Sequence, residues 1–240
     1  MAAPRAVRRP AFLERVRGRG WGLVPIASIV VVVFAIRFVS DTATGLTYLA
    51  LVAVPPLAAV ALGWSMRGAV PVIAVGAGVL FGLAWGLHDS LVGEAAAALL
   101  SALSCVTLGV LLAALTPAIW LKLGIIAMAA ADTWLVVSDL LQSPNATLIA
   151  AHPAAGLPRL QSVIFGSATM GYGDLFVAGV FGALLAADWR RQRAGALLTL
   201  VLAALMDLLF FVVNELPATV PVALALIVLE GWRRPLLLCH

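Results

Sequence analysis

The chain has 240 residues, of which 63% are hydrophobic and 11% charged, and its formal net charge is +4. A soluble globular domain carries about 25% charged residues. Composition therefore excludes a water-soluble enzyme, leaves no expectation of a nucleic-acid partner, and predicts an all-α polytopic membrane protein.

Residues 1–20 hold six arginines (5, 8, 9, 15, 17, 19) and two prolines. We read 1–21 as a basic cytoplasmic segment with an interfacial helix from Ala11. The apolar run after it is long and shows no small-x-small cleavage pattern, so 22–39 is expected to be an uncleaved first span. A span needs about 20 apolar residues. Eight candidates follow: 22–39, 45–64, 69–87, 95–115, 118–141, 160–187, 194–213 and 216–232. Thr116-Pro117 divides the fourth from the fifth, because proline ends or kinks the helix before it. The chain then divides into the basic segment 1–21, scaffold helices over 22–117, a second set of helices over 118–232, and a cytoplasmic tail at 233–240. With the N-terminus inside, thirteen of the fifteen Lys+Arg fall on the inner side and Arg37 and Arg159 on the outer, as the positive-inside rule requires. The longest loop, 142–159, lies outside. Gly78, Gly82 and Gly86, spaced by four in the third span, predict a close helix-packing face.

Cys105 and Cys239 form no CxxC, and His88, His152 and His240 have no HExxH spacing. Neither a metal nor an organic cofactor is expected. The acids carry more information. A carboxylate near the middle of a span costs roughly 2.5–3.5 kcal/mol on insertion scales and is a functional candidate by default. Asp132 lies in the fifth candidate span, about 14 Å in from Leu141 at the helical rise. Asp174, in Gly171-Tyr172-Gly173-Asp174, lies about 21 Å in from Leu160 if the sixth span is one helix. The two could meet at similar depth. Asp139 is nearer the outer end and fits a solvated terminus; Asp207 fits a helix-packing polar residue or a proton relay. Two carboxylates sharing one proton can hydrolyse a peptide: the ionised one activates water and the protonated one polarises the carbonyl. Gly171 and Gly173 would leave the backbone beside Asp174 uncovered, so that a substrate strand could approach it.

With these residues in view, the chain resembles the GxGD intramembrane aspartyl proteases, the presenilin and signal peptide peptidase family. Asp132 stands where that family has its first acid, Gly171-Tyr172-Gly173-Asp174 is its GxGD, and Leu216-Pro217-Ala218-Thr219 two spans later resembles its Pro-Ala-Leu motif. The match covers roughly 118–232. It implies a presenilin-like C-terminal half, catalytic Asp132 and Asp174, and a site shaped by Gly171, Tyr172, Gly173, Pro217, Ala218 and Thr219. The family usually has Tyr before the first acid, where this chain has Ala131; it has Leu where this chain has Thr219, and nine spans rather than eight. The implied substrate is a transmembrane segment of another protein. The expected location is the plasma membrane, a bacterial inner membrane, whose anionic lipid the basic inner face would favour.

Other classes remain open on sequence. Thr169-Met170-Gly171-Tyr172-Gly173-Asp174 also resembles a potassium-channel filter, although only 13 apolar residues (175–187) follow it. A type IV prepilin peptidase also uses GxGD, but typically with Lys where this chain has Phe176. An inactive scaffold of the same fold is a further alternative, because fold does not fix function.

Overall fold

The computed structural model describes residues 3–5, 11–38, 41–138, 140, 146–148, 150–151, 153–166, 168–211 and 216–231. The helices are α1 (Ala11–Val16), α2 (Val24–Phe38), α3 (Thr42–Val60), α4 (Gly76–Gly86), α5 (Leu91–Leu115), α6 (Ala118–Val137), α7 (Tyr172–Leu184), α8 (Trp189–Asp207) and α9 (Val220–Gly231). Their ends follow local chemistry. The Ser90 hydroxyl caps α5 by accepting from Gly93 N–H at 3.2 Å, and the Asp188 carboxylate caps α8 by accepting from Arg190 and Arg191 N–H. Both are residue types that N-caps favour. Pro117 separates α5 from α6 as N-cap of the latter.

Among the described residues, four helical stretches are long and apolar enough to cross a membrane: Arg19–Ile36, Thr42–Ser65, Leu91–Leu115 and Ala118–Val137. Pro71–Gly86, Tyr172–Leu184 and Val220–Gly231 are apolar but shorter. Large apolar side chains such as Val52, Val72, Trp134 and Val137 are exposed, as expected of a surface that meets lipid.

The basic segments gather on one face. Arg5 N–H donates to Ser65 O and Arg67 N–H to Ala3 O, while Gly18 N–H donates to Leu115 O. Gln192 joins them: its amide donates to Pro4 O and Gly182 O, both at 2.8 Å, and accepts from Arg67 Nε at 3.0 Å. Glu230 ties α9 to the same face through Lys122 (2.8 Å) and Arg191 (3.4 Å). At the other end of the bundle, Tyr48 Oη accepts from Ala154 N–H at 3.3 Å.

Two apolar clusters form the interior. One joins α3, α4 and α5 with Leu160 and includes Val54, Ala58, Leu100 and Leu103. The other joins α6, α7 and α9 with Leu112 and includes Ile125, Met128, Val177, Val180 and Leu226. Helix α5 contributes to both. It crosses α7 with backbone against backbone: a Cβ built on Gly109 would lie 2.5 Å from Gly179 C and O, and one built on Gly179 would collide with Cys105 O.

Two expectations change. The Gly78/Gly82/Gly86 face is exposed and has nothing within 4 Å of an added Cβ; α4 packs instead through Ala77 and Ala84. Close-packing glycines lie elsewhere: Gly109 and Gly179 between α5 and α7, and Gly22 and Gly124 where the N-terminal segment meets α6. The stretch 160–187 is not one helix. Ser162–Phe165 (β1) and Ala168–Gly171 (β2) form an antiparallel hairpin, and α7 starts after it. Val163, Ile164 and Phe165 favour strand over helix, and Gly166 takes the positive φ (+59°) that a tight hairpin turn requires. Asp139, His152, Cys239 and His240 lie outside the described residues.

The glycine crossing is testable by thermal unfolding in detergent. Gly179→Leu must push α5 and α7 apart, and overpacking of this kind typically costs about 1–3 kcal/mol or more. Gly82→Leu, on the open face, should stay within about 0.5 kcal/mol of the parent protein.

Candidate active site

Asp132 is 8% exposed, buried on α6 among apolar neighbours. A buried carboxylate needs hydrogen-bond donors, and Thr219 supplies two. Its hydroxyl donates to Asp132 Oδ2 at 2.6 Å and its N–H to the same oxygen at 3.2 Å. Thr219 is fully buried. It precedes the first residue of α9, and Pro221 follows in the first turn, where a missing N–H costs nothing. Leu216 to Thr219 are therefore not helical, unlike the expected span from 216. The Asp132 carboxylate sits at the N-terminal end of α9, where the helix dipole favours negative charge.

Asp174 is the third residue of α7. Its Oδ2 turns back to accept from Gly171 N–H at 3.2 Å. A Cβ at Gly171 would lie 3.1 Å from that oxygen, so glycine at 171 makes room for the returning carboxylate. At Gly173 an added Cβ would meet Met128 Cε at 4.0 Å and nothing nearer. Met128 is one turn before Asp132 on α6, so the GxGD turn faces the stretch of α6 that carries the first acid. Asp174, half-buried, lies on the turn that faces the α6 stretch bearing Asp132. The structure thus brings together Asp132, Asp174, Gly171, Gly173 and Thr219. Pro217 and Ala218, half-buried, form the turn that delivers Thr219.

Tyr172 is directed elsewhere. Its hydroxyl bonds Ser104 Oγ at 2.6 Å, and the ring packs on the α3–α5 cluster. It positions the GxGD turn on α5. Ser101 Oγ donates to Leu160 O at 3.3 Å just before the hairpin. Glu94 Oε2 accepts from Gly166 N–H at 2.8 Å, holding the hairpin turn. Nothing in the sequence motifs singles out Ser101, Ser104 or Glu94. The available signal was Ser101-Ala102-Leu103-Ser104-Cys105-Val106-Thr107, a run of small polar residues inside an otherwise apolar helix. Asp207 ends α8 and is exposed rather than packed.

No family model, curated protein or solved structure matches this chain.

Thr219→Val preserves shape but removes the shorter bond to Asp132. We expect a loss of about 1.5–3 kcal/mol, the range for hydrogen bonds to charged groups, in reversible unfolding from detergent or bicelles. Thr219→Ser keeps the hydroxyl and should lose clearly less. Equal losses in the two variants would mean that the bond contributes nothing beyond packing.

Proposed function

We propose that the chain is an intramembrane aspartyl endopeptidase in which Asp132 and Asp174 form the catalytic pair. One observation carries the reading. Three segments far apart in sequence, around Asp132, Gly171–Asp174 and Pro217–Thr219, converge on one pair of carboxylates inside an apolar bundle. On this reading eight segments cross the membrane, a bacterial inner membrane, with the basic face and the N-terminus cytoplasmic; the shorter helices α4, α7 and α9 cross with the help of their flanking turns.

The chemistry follows from the pair. Two nearby acids in a low-dielectric site share one proton and titrate together. The ionised carboxylate takes a proton from water as its oxygen attacks the peptide carbonyl carbon. The protonated carboxyl donates to the carbonyl oxygen, stabilising the charge that develops there. Collapse of the tetrahedral intermediate breaks the C–N bond as the departing nitrogen takes a proton from the pair. A helical substrate hides its peptide bonds, so it must unwind. Strand β2 leads directly into Gly171, and its edge away from β1 is a template on which an extended segment could pair. Gly171 and Gly173 leave the approach to Asp174 low.

The filter reading fits less well. Thr169–Gly171 is paired in a hairpin and Tyr172–Asp174 is the first turn of a helix, whereas a filter needs a run of backbone carbonyls directed at one axis.

Purified protein should cleave a reporter transmembrane peptide. Asp132→Ala and Asp174→Ala should each lower the rate by at least about 10²–10⁴-fold, the usual contribution of a positioned acid or base. Because Asp132→Ala also removes the acceptor for Thr219, Asp132→Asn, which keeps an oxygen there, should be as inactive with an unfolding temperature nearer the parent value. The rate should be bell-shaped in pH, because the active pair carries one proton. Cleavage that persists unchanged in either variant would sink the mechanism. Potassium flux into liposomes that survives Asp132→Ala but not Gly173→Ala would favour the channel.

A further inference from the structure

We propose that a cavity on the basic face, opposite in the bundle to the hairpin, binds the phosphate group of an anionic phospholipid. The proposal stands apart from the peptidase reading and uses none of its residues. The cavity has a volume of about 190 Å³ and lies between the N-terminal segment, the α5–α6 junction and the end of α7. One water occupies about 30 Å³ of liquid volume, so the space admits a group of several heavy atoms.

Four features select a phosphate. Arg5 and Arg17 both line the cavity, and among the described residues neither guanidinium has a hydrogen-bond or ion-pair partner. No lining residue is acidic. The nearest carboxylate in sequence, Asp188, is committed to the N–H groups of Arg190 and Arg191. Thr116 also lines the cavity and is 1% exposed, and its hydroxyl has no partner among the described residues. A buried unpaired hydroxyl is costly, and a phosphate oxygen is a group that could accept from it. Ala118, the first residue of the 20-residue helix α6, completes the polar side, and a helix N-terminus attracts anions. Guanidinium groups suit phosphate oxygens because they can bind two at once.

The remaining walls select a lipid over free phosphate. Val110 and Ala113 of α5, with Leu184 of α7, give the cavity an apolar side. A free anion leaves that side unfilled, whereas the glycerol and first methylenes of a phospholipid would cover it. The arginines are held in place by their neighbours: Arg5 N–H is bonded to Ser65 O, and Gly18, next to Arg17, is bonded to Leu115 O. A bound headgroup would bridge the N-terminal segment to the ends of α5, α6 and α7.

The test measures thermal unfolding of the full chain in neutral detergent against added dioctanoyl phosphatidylglycerol, dioctanoyl phosphatidylcholine or inorganic phosphate. The glycerol lipid should raise the midpoint saturably, and the choline lipid and phosphate should not at matched concentration. Arg5→Gln and Arg17→Gln should each weaken the apparent affinity by about tenfold or more, as expected for loss of a charge-assisted hydrogen bond, and Thr116→Val should weaken it less. Native mass spectrometry of the same samples counts bound lipid even where a variant is destabilised. Equal responses to the two lipids, or full retention of lipid by the Arg5→Gln/Arg17→Gln double variant, would overturn the proposal. A response to inorganic phosphate alone that depends on Arg17 would overturn the lipid assignment in favour of a soluble anion.

Discussion

The hydrogen bonds from Thr219 to Asp132 are the constraint around which the second half of the bundle is arranged. A carboxylate on a buried face of α6 needs donors, and neighbouring apolar side chains provide none. Both donors come from a single residue whose N–H is free because it precedes the first turn of α9. That requirement fixes where α9 begins, which end of it faces α6, and why a proline-containing turn lies beside the acid. A Leu at 219 could offer only its N–H; the hydroxyl of Thr219 adds a second and shorter bond to the carboxylate.

Asp174 is placed by a different device. Its helix is fixed against α5 by glycine-to-backbone contact at Gly109 and Gly179, and by the Tyr172–Ser104 bond about two turns away along α7. The hairpin is anchored to the same helix at Glu94 and Ser101. Helix α5 thus supports the N-terminal cluster and the second acid together, which gives the four preceding helical segments a role in the site without contributing a residue to the carboxylate pair.

The sequence made the two acids, GxGD and the Pro-Ala-Thr segment legible because charged residues and glycine–proline motifs stand out against an apolar background. The same background concealed other features. Spacing alone nominated Gly78, Gly82 and Gly86, yet a small-residue stripe does not say which face meets a neighbour, and Ala77 and Ala84 pack instead. Gly109 and Gly179 lie in different helices and have no shared pattern until the chain folds. The hairpin was hidden because a short apolar run fits a buried helix and a strand equally well. The role of Glu94 was hidden because its partner, Gly166 N–H, is 72 residues away.

Helix lengths reconcile acids at helix N-termini with a site at membrane depth. Helices α7 and α9 have 13 and 12 residues, about 20 and 18 Å at 1.5 Å per residue, against a hydrocarbon thickness of about 30 Å. Both end at the basic face, as Gln192–Gly182 and Lys122–Glu230 contacts require. Counting from that face, Asp174 lies about 15 Å up α7 and Asp132 about 21 Å up α6. On the proposed topology the acids therefore stand near mid-depth, and the remaining thickness above them is occupied by the hairpin and by residues 216–219 rather than by helix. Irregular backbone at such depth is tolerated where protein buries it or where it lines a water-filled space. Peptide hydrolysis needs that arrangement: water and an unwound strand must reach carboxylates that a continuous helix would have sealed off.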